Sequence, residues 1–474
     1  MSGSRLSAAM CAGGRNLAEP RLSPDGRRVA FVDRVGGLAR LVVVPAGGGP
    51  ELVVSADLAP AGRGGVVDWF PDGGRLAYVT GAGQVAVVAA GGGPAAVVWD
   101  GAGGPAAAVA VSPLGDEVAF VVDTAEVVVA AAGPMAGAGG RPARVVWSGA
   151  DFVVDPAWSP DGNWLVWHEW DVPAMAWDDS RIRMAPAAGG ASRVVGGGPG
   201  ESVQQPRFSP DGSRLAWLSD ASGWLNVVVA GADGRDPRPL VAEAFEHGGP
   251  TWGPGQRSFA WSPDGSAIAF ERNEAGFGRL CVATISGIDA GRGGAVRELS
   301  RGVHGSVSWG GGRLGCLRSG ARTPTAVVTL DPATGARTVL ARGPVGGFED
   351  AGLVEPDLVT WPAADGAVVH GRLYRPPASV AGLPPLLLWA HGGPTDQRRV
   401  AFDPSVAYFV DRGWAVLVPD PRGSTGWGRK WTQAMRGGWG TVDVADLAAG
   451  LRAAATNRWG DPAAMVPVGT SAGG

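Results

Sequence analysis

The residues with most chemistry in them form the pattern Gly469-Thr470-Ser471-Ala472-Gly473, which directly follows an apolar run, Ala464-Met465-Val466-Pro467-Val468. A strand followed by Gly-x-Ser-x-Gly is the signature of a nucleophile elbow, a sharp strand-to-helix turn on which a side chain at either glycine would clash with the adjoining strand or helix. The turn lifts the Ser471 hydroxyl out of the sheet, where it can attack a carbonyl carbon. The carbonyl oxygen then becomes an oxyanion and needs N–H donors aimed at it. Ala472, next to the nucleophile, supplies one backbone N–H. His391-Gly392-Gly393-Pro394, at the end of the apolar run Pro384–Ala390, supplies the second from Gly393, because glycine lets the backbone come close to a substrate. With 79 glycines in 474 residues, the pattern alone would equally suit a Gly-rich loop. Its context decides.

A serine nucleophile also needs a base. In α/β-hydrolases the acid and the histidine follow the serine along the chain. All five histidines here, His168, His247, His304, His370 and His391, precede Ser471. The order predicts either a piece of a longer enzyme or a remnant that cannot work as a serine hydrolase, and an inactive 474-residue chain in both cases. His391 reads as a residue that shapes its loop, since its place in the chain is wrong for the base.

The elements that must hold these residues are legible from about residue 344 onward. Leu358–Trp361 and Val368–Tyr374, separated by a turn at Ala364-Asp365-Gly366, predict an antiparallel pair. Leu386–Ala390, Trp414–Val418 and Ala464–Val468 are continuous apolar runs of the kind buried in a parallel sheet. Between them lie a short helical stretch near Val406–Val410 and an amphipathic helix over Thr441–Asn457, with Val444, Leu447 and Leu451 on its apolar face and Asp443 and Asp446 in its first turn. Strands alternating with helices imply a doubly wound parallel sheet.

The first 343 residues repeat a different unit. Leu22-Ser23-Pro24-Asp25-Gly26 runs into Val29-Ala30-Phe31, and the same pattern returns around Pro71, Pro113, Pro160, Pro210 and Pro263, at intervals of 42 to 53 residues. A worn seventh copy is Trp309-Gly310-Gly311-Gly312. Ser-Pro-Asp-Gly suits a type I turn, and an apolar strand on each side makes a hairpin. A period of 40 to 50 residues with several short strands is that of β-propeller blades. The fold class is therefore an N-terminal seven-bladed β-propeller, residues 1–343, followed by a partial α/β-hydrolase domain, residues 344–474. Within the propeller, His168-Glu169-Trp170, Trp177-Asp178-Asp179 and Glu201 could face a substrate, Glu201 as an anchor for a charged N-terminus. Trp and Asp at strand ends serve equally as core plugs and turn caps.

Composition narrows the partners. A formal charge of −4, with 40 basic against 44 acidic residues and Lys430 as the single lysine, offers no basic face for nucleic acid or anionic lipid. Cys11, Cys281 and Cys316 are too few and too scattered for a disulfide framework or a zinc site. No segment has the length of a signal peptide core or a membrane span, so the expectation is a cytoplasmic protein with neither metal nor cofactor.

Taken together, the Ser-Pro-Asp-Gly propeller, His391-Gly392-Gly393-Pro394, Arg422-Gly423-Ser424-Thr425-Gly426-Trp427-Gly428, Trp439-Gly440-Thr441-Val442-Asp443-Val444-Ala445-Asp446 and the elbow resemble the prolyl oligopeptidase family, in its acylaminoacyl-peptidase and dipeptidyl-aminopeptidase branch. The motifs stand in the family's order along the whole chain. The resemblance implies a serine peptidase that hydrolyses short peptides through an acyl-enzyme, with a propeller covering the active site. By position Ser471 matches the nucleophile, and Gly393 with Ala472 the oxyanion hole. Trp427 stands where the family often has Tyr and is, with Glu201, a candidate for contact with substrate. The expected partner is an oligopeptide, and the full-length protein is open to homo-oligomerisation. An esterase on the same scaffold and a non-catalytic propeller that binds peptides are the competing readings.

Overall fold

The computed structural model describes residues 6–55, 57–61, 64–133, 143–289, 293–343, 348, 352–377 and 382–474. Seven four-stranded antiparallel sheets follow one another along the chain, each made of four consecutive strands, and together they form the seven-bladed propeller that the repeat predicts. The first strands of successive blades adjoin around the ring. Blade 7 closes on blade 1 through an apolar cluster of Leu22, Val29, Phe31, Val327 and Leu340. Two hydrogen bonds reinforce it, from Thr329 Oγ1 to Ala46 O at 2.8 Å and from Leu22 N to Ser308 Oγ at 3.1 Å.

The repeated turn joins the first and second strands of each blade. Gly26 N donates to Ser23 O at 2.8 Å, Ser23 Oγ donates to Asp25 Oδ1 at 2.6 Å, and Gly26 has φ 71°. The backbone bond recurs at Gly73, Gly115, Gly162, Gly212 and Gly265. The seventh copy lacks Ser-Pro-Asp for a steric reason. A Cβ on Gly310 would lie 2.7 Å from Ser23 O, and one on Gly311 would lie 2.1 Å from Asp25 O, so the turns of blades 7 and 1 meet where side chains cannot fit.

Five of the seven first strands carry a bulge whose residue takes a left-handed conformation: Glu19 (φ 51°), Ala108 (53°), Asp155 (54°), Gln205 (59°) and Ser306 (53°). Bulges re-aim side chains, and two of these residues, Glu19 and Ser306, line the cavity between the domains.

The second domain is a five-stranded sheet. Its order is Asp357–Pro362, Val368–Tyr374, Ala415–Asp420, Leu386–Ala390, Met465–Gly469, with the first three strands antiparallel and the last three parallel. This is the start of an α/β-hydrolase sheet, as the sequence implied. Leu386, Leu388, Ala415 and Leu417 are buried in it.

Three expectations need correction. The elbow strand Met465–Gly469 is exposed along most of its length, with Val466 at 41 %. Among the described residues it pairs only with Leu386–Ala390, and only Met465 and Val468 pack against core clusters, so its apolar sequence translates into partial burial. The helix Val442–Thr456 falls where expected and Leu447 and Leu451 pack against the core, but Val444 is 55 % exposed and the fully buried positions are Asp446, Ala449, Gly450 and Ala454. Those residues are small because Trp361 lies across them, with a Cβ on Gly450 only 3.0 Å from the indole. Finally, the N-terminal segment is not part of a blade. Leu6 packs with Phe348 and Phe402, Leu6 N donates to Asp411 Oδ2 at 2.9 Å, and helix Ala8–Ala12 lies on helix Pro404–Asp411 of the hydrolase domain.

Candidate active site

Ser471 sits two residues past the elbow strand with φ 55°, a left-handed value that a non-glycine residue adopts only under the constraint of its surroundings. The constraint is visible in the flanking glycines. A Cβ on Gly469 would fall 1.7 Å from Gly473 O, and one on Gly473 would fall 2.6 Å from His391 O and 2.7 Å from Ala390 O. Strand, turn and the following short helix Ser471–Gly473 therefore close on themselves, and the side chain of Ser471 is left exposed.

The second loop lies directly alongside. Ala390 pairs with Gly469 in parallel register, so the chain enters His391-Gly392-Gly393-Pro394 at the level where the elbow begins. Gly393 has φ 124°. His391 Nδ1–H donates to Gly392 O at 2.6 Å, and its Nε2 accepts from the Ser424 hydroxyl at 2.9 Å. His391 thus ties its own loop to the Arg422–Gly428 segment, the loop-shaping part anticipated for it.

None of the other histidines reaches Ser471. His168 is buried in blade 4 against Trp170, and burial pushes it down to about 3. His304 is buried too and pushed down to about 3. His247 is paired with Glu243 and lies on Phe270. His370 stacks on Trp427 with ring centres 3.5 Å apart.

Beneath these loops lies a buried ion pair that the sequence did not disclose. Arg372 and Asp420, both fully buried, meet in a two-pronged contact at 2.5 and 2.6 Å. Asp420 Oδ2 also accepts from Gln397 Nε2 and Trp427 Nε1, each at 2.9 Å. Burial alone would raise the Asp420 carboxyl, but Arg372 outweighs it and holds it below the usual carboxylate range. Trp427 therefore spends its polar atom inside the domain, and one ring face lies on His370; the geometry gives it a supporting place behind the loop. Asp446, expected as a helix-start charge, is buried and accepts from Arg422 N, Nε and Nη2 at 2.9, 3.0 and 2.7 Å.

The propeller holds the segment after the His391–Pro394 loop. Trp252 Nε1 donates to Thr395 O at 2.8 Å, Asn273 Nδ2 to Gln397 Oε1 at 2.6 Å, and Arg399 pairs with Glu271 at 3.2 Å. A second junction forms around helix Arg429–Gln433. Arg429 N donates to Gly223 O at 2.8 Å and its guanidinium to Asp220 at 2.5 Å, to Trp177 O at 3.3 Å and to Asp178 O at 2.9 Å. Glu246, nearly fully buried, accepts from Leu225 N at 2.7 Å and Gly428 N at 3.1 Å. Desolvation, opposed by those two bonds, pushes it up to about 7. Glu201 stands beside this junction, half-buried, accepting from the Ser219 hydroxyl at 2.5 Å. Between the domains a cavity of about 800 Å³ reaches from Glu19 and Arg257 to Gln397 and Thr425. No pattern within the sequence marks Trp252, Asn273 or Glu246, because their partners in the hydrolase domain lie more than a hundred residues away.

Among the described residues no cluster of His, Cys, Asp and Glu could hold a metal ion, and no helix is long and apolar enough to cross a membrane.

A seven-bladed propeller seated on a hydrolase sheet that carries a serine elbow and a His-Gly-Gly-Pro loop defines a class of hydrolases, and comparison with known proteins agrees. Residues 400–474 match the prolyl oligopeptidase family. The whole fold superposes on a puromycin-hydrolysing peptidase of Mycobacterium tuberculosis with a TM-score of 0.86 at 27 % identity, covering 99 % of this chain and 76 % of that one. A puromycin hydrolase crystal structure gives 0.84 at 28 % identity, again over 99 % and 76 %. A probable dipeptidyl-peptidase 5 of Emericella nidulans is 25 % identical over 314 residues, 61 % of this chain and 42 % of that protein. The chain thus spans less than half the length of this curated relative. Fold, motif order and these likenesses make the chain similar to the prolyl oligopeptidase family along its length, with the family's own pattern matched over residues 400–474.

Proposed function

We propose that this chain forms the propeller and the nucleophile-bearing part of a serine peptidase that cleaves short peptides through an acyl-enzyme on Ser471. The observation that carries the reading is the strained, exposed serine at φ 55° held against the Gly392-Gly393 loop. In this reading the N–H groups of Ala472 and Gly393 stabilise the oxyanion, worth roughly 3–4 kcal/mol per donor in comparable sites. The interdomain cavity receives the peptide, and Glu201 anchors a charged N-terminus. Likeness to puromycin-hydrolysing enzymes over 99 % of the chain favours small aminoacyl amides, puromycin among them, over large proteins.

The 474 residues by themselves should give no turnover, since every histidine is held elsewhere and the hydroxyl stays protonated. In the full-length protein, a fluorophosphonate probe should label Ser471, and Ser471→Ala should remove the label. Labelling that survives this change would sink the assignment. Hydrolysis of an aminoacyl anilide compared with a simple acyl ester separates a peptidase from an esterase.

A further inference from the structure

Arginines from three blades converge on the propeller axis without carboxylate partners. Arg21 and Arg207 occupy the same place in blades 1 and 5, three residues before the turn proline. Arg257 lies on the segment that leads into blade 6 and lines the interdomain cavity. Arg21 is 2 % exposed. Its Nη1 donates to Pro20 O at 3.1 Å, while Nε and Nη2 are buried with no acceptor. Arg207 gives Nη2 to Gln256 O at 3.0 Å and lies over Phe259, and its Nε is likewise buried without an acceptor. Burial lowers the Arg21 and Arg207 guanidiniums, and the charge of Arg257 adds to this at both.

Glu19, Asp68 and Asp155 act on Arg21, and the two aspartates on Arg207, through their charge, but their hydrogen bonds go to backbone N–H groups. Glu19 accepts from Gly64, Gly65 and Val66 N at 2.7, 3.1 and 2.6 Å. Asp68 accepts from Val111 N at 3.0 Å, and Asp155 from Gly255 N at 2.6 Å. Burial pushes the Asp155 carboxyl up against the opposing charges of Arg207, Arg257 and Arg21, so one carboxylate is shared among three guanidiniums. Bare guanidinium N–H groups in a buried site are costly, and a planar or tetrahedral oxyanion is the group whose acceptors match their fork.

We propose that Arg21, Arg207 and Arg257 form a binding site on the propeller axis for one small oxyanion, a carboxylate or a phosphate, entering through the interdomain cavity. The anion is either a free ion or the terminal carboxylate of a peptide lying in the cavity. The site does not depend on Ser471 being catalytic.

Isothermal titration of the purified chain tests it with three ligands: inorganic phosphate, trialanine and trialanine carboxamide. Phosphate binding at one site per chain, weakened at least tenfold by Arg257→Ala, supports a free anion. Binding of trialanine but not its carboxamide, with the same loss in Arg257→Ala, supports the peptide terminus. Arg21→Lys should weaken whichever ligand binds. Arg257 lies on a half-buried loop, so if Arg21→Lys does not fold, Arg257→Ala alone decides. No saturable binding of phosphate or trialanine, or affinity within twofold of the parent chain in Arg257→Ala, overturns the proposal and leaves the axis filled by water.

Discussion

Gly392 lies flush against Ser471: a Cβ built on Gly392 would stand 3.2 Å from the Ser471 Cβ and 3.0 Å from Thr470 O. The loop offered as the second oxyanion donor and the elbow offered as the first are therefore packed together, and the space between them is set by the absence of a side chain. Gly392→Ala asks the contact to give by a few tenths of an ångström. Gly469→Ala asks far more, because its methyl would meet Gly473 O at 1.7 Å. In a protein that also carries the triad acid and base, fluorophosphonate labelling should slow modestly in the first variant and at least a hundredfold in the second, since displacements near 1 Å cost about that factor. Equal rates in the two variants would contradict the geometry.

Asp420 holds Arg372 in place beneath the loops. Asp420→Asn leaves the fully buried guanidinium of Arg372 uncompensated, which should destabilise the hydrolase domain by about 3–5 kcal/mol in urea unfolding. Replacing both partners, Arg372→Met with Asp420→Leu, should recover most of that loss. The Asp420 carboxyl is held below its usual range, so its contribution is present above the unfolded carboxylate pKa of about 3.9 and disappears as pH falls through the lower folded value. Acid unfolding should accordingly begin earlier in the parent chain than in the double variant.

Glu246 has the opposite sign. Its carboxyl is pushed up to about 7 in the folded chain, so between about pH 4.5 and 7 the folded state binds more protons than the unfolded one, and this contribution falls as pH rises. The loss amounts to about 3 kcal/mol across that window. Because Glu246 accepts from Gly428 N, the effect should appear as looser docking of the two domains. Glu246→Gln should flatten the pH dependence of thermal unfolding between pH 5 and 7.5; an unchanged slope would count against the shift.

Arg429 is the single side chain that touches Asp220, Trp177 and Asp178 together from the hydrolase side. Arg429→Ala removes these bonds and leaves Asp220 buried without its cation, a loss of about 2–3 kcal/mol. Calorimetry should then resolve two transitions, propeller and hydrolase domain, at separated temperatures. One transition at the parent temperature would show that the junction rests on other contacts.

The sequence by itself determined the elements and their order. Proline and glycine at turn positions, apolar runs of strand length and the two glycines around Ser471 act within a few residues, so seven blades, the strand sequence of the half sheet and the elbow were all readable from local spacing. Helix 442–456 was placed within one residue at each end. Burial was less legible, because it depends on what lies opposite. Val444 and Val466 are apolar and exposed, while Asp446 and Arg372 are charged and buried, each according to neighbours that only the folded chain supplies. The supports of the site were invisible for the same reason. Trp252 meets Thr395 and Arg429 meets Asp220 across 143 and 209 residues of chain, and no local periodicity encodes a contact of that range. Tertiary packing alone decided that blade 6 steadies the segment after the His391–Pro394 loop, and that the N-terminal helix lies on helix Pro404–Asp411 of the hydrolase domain.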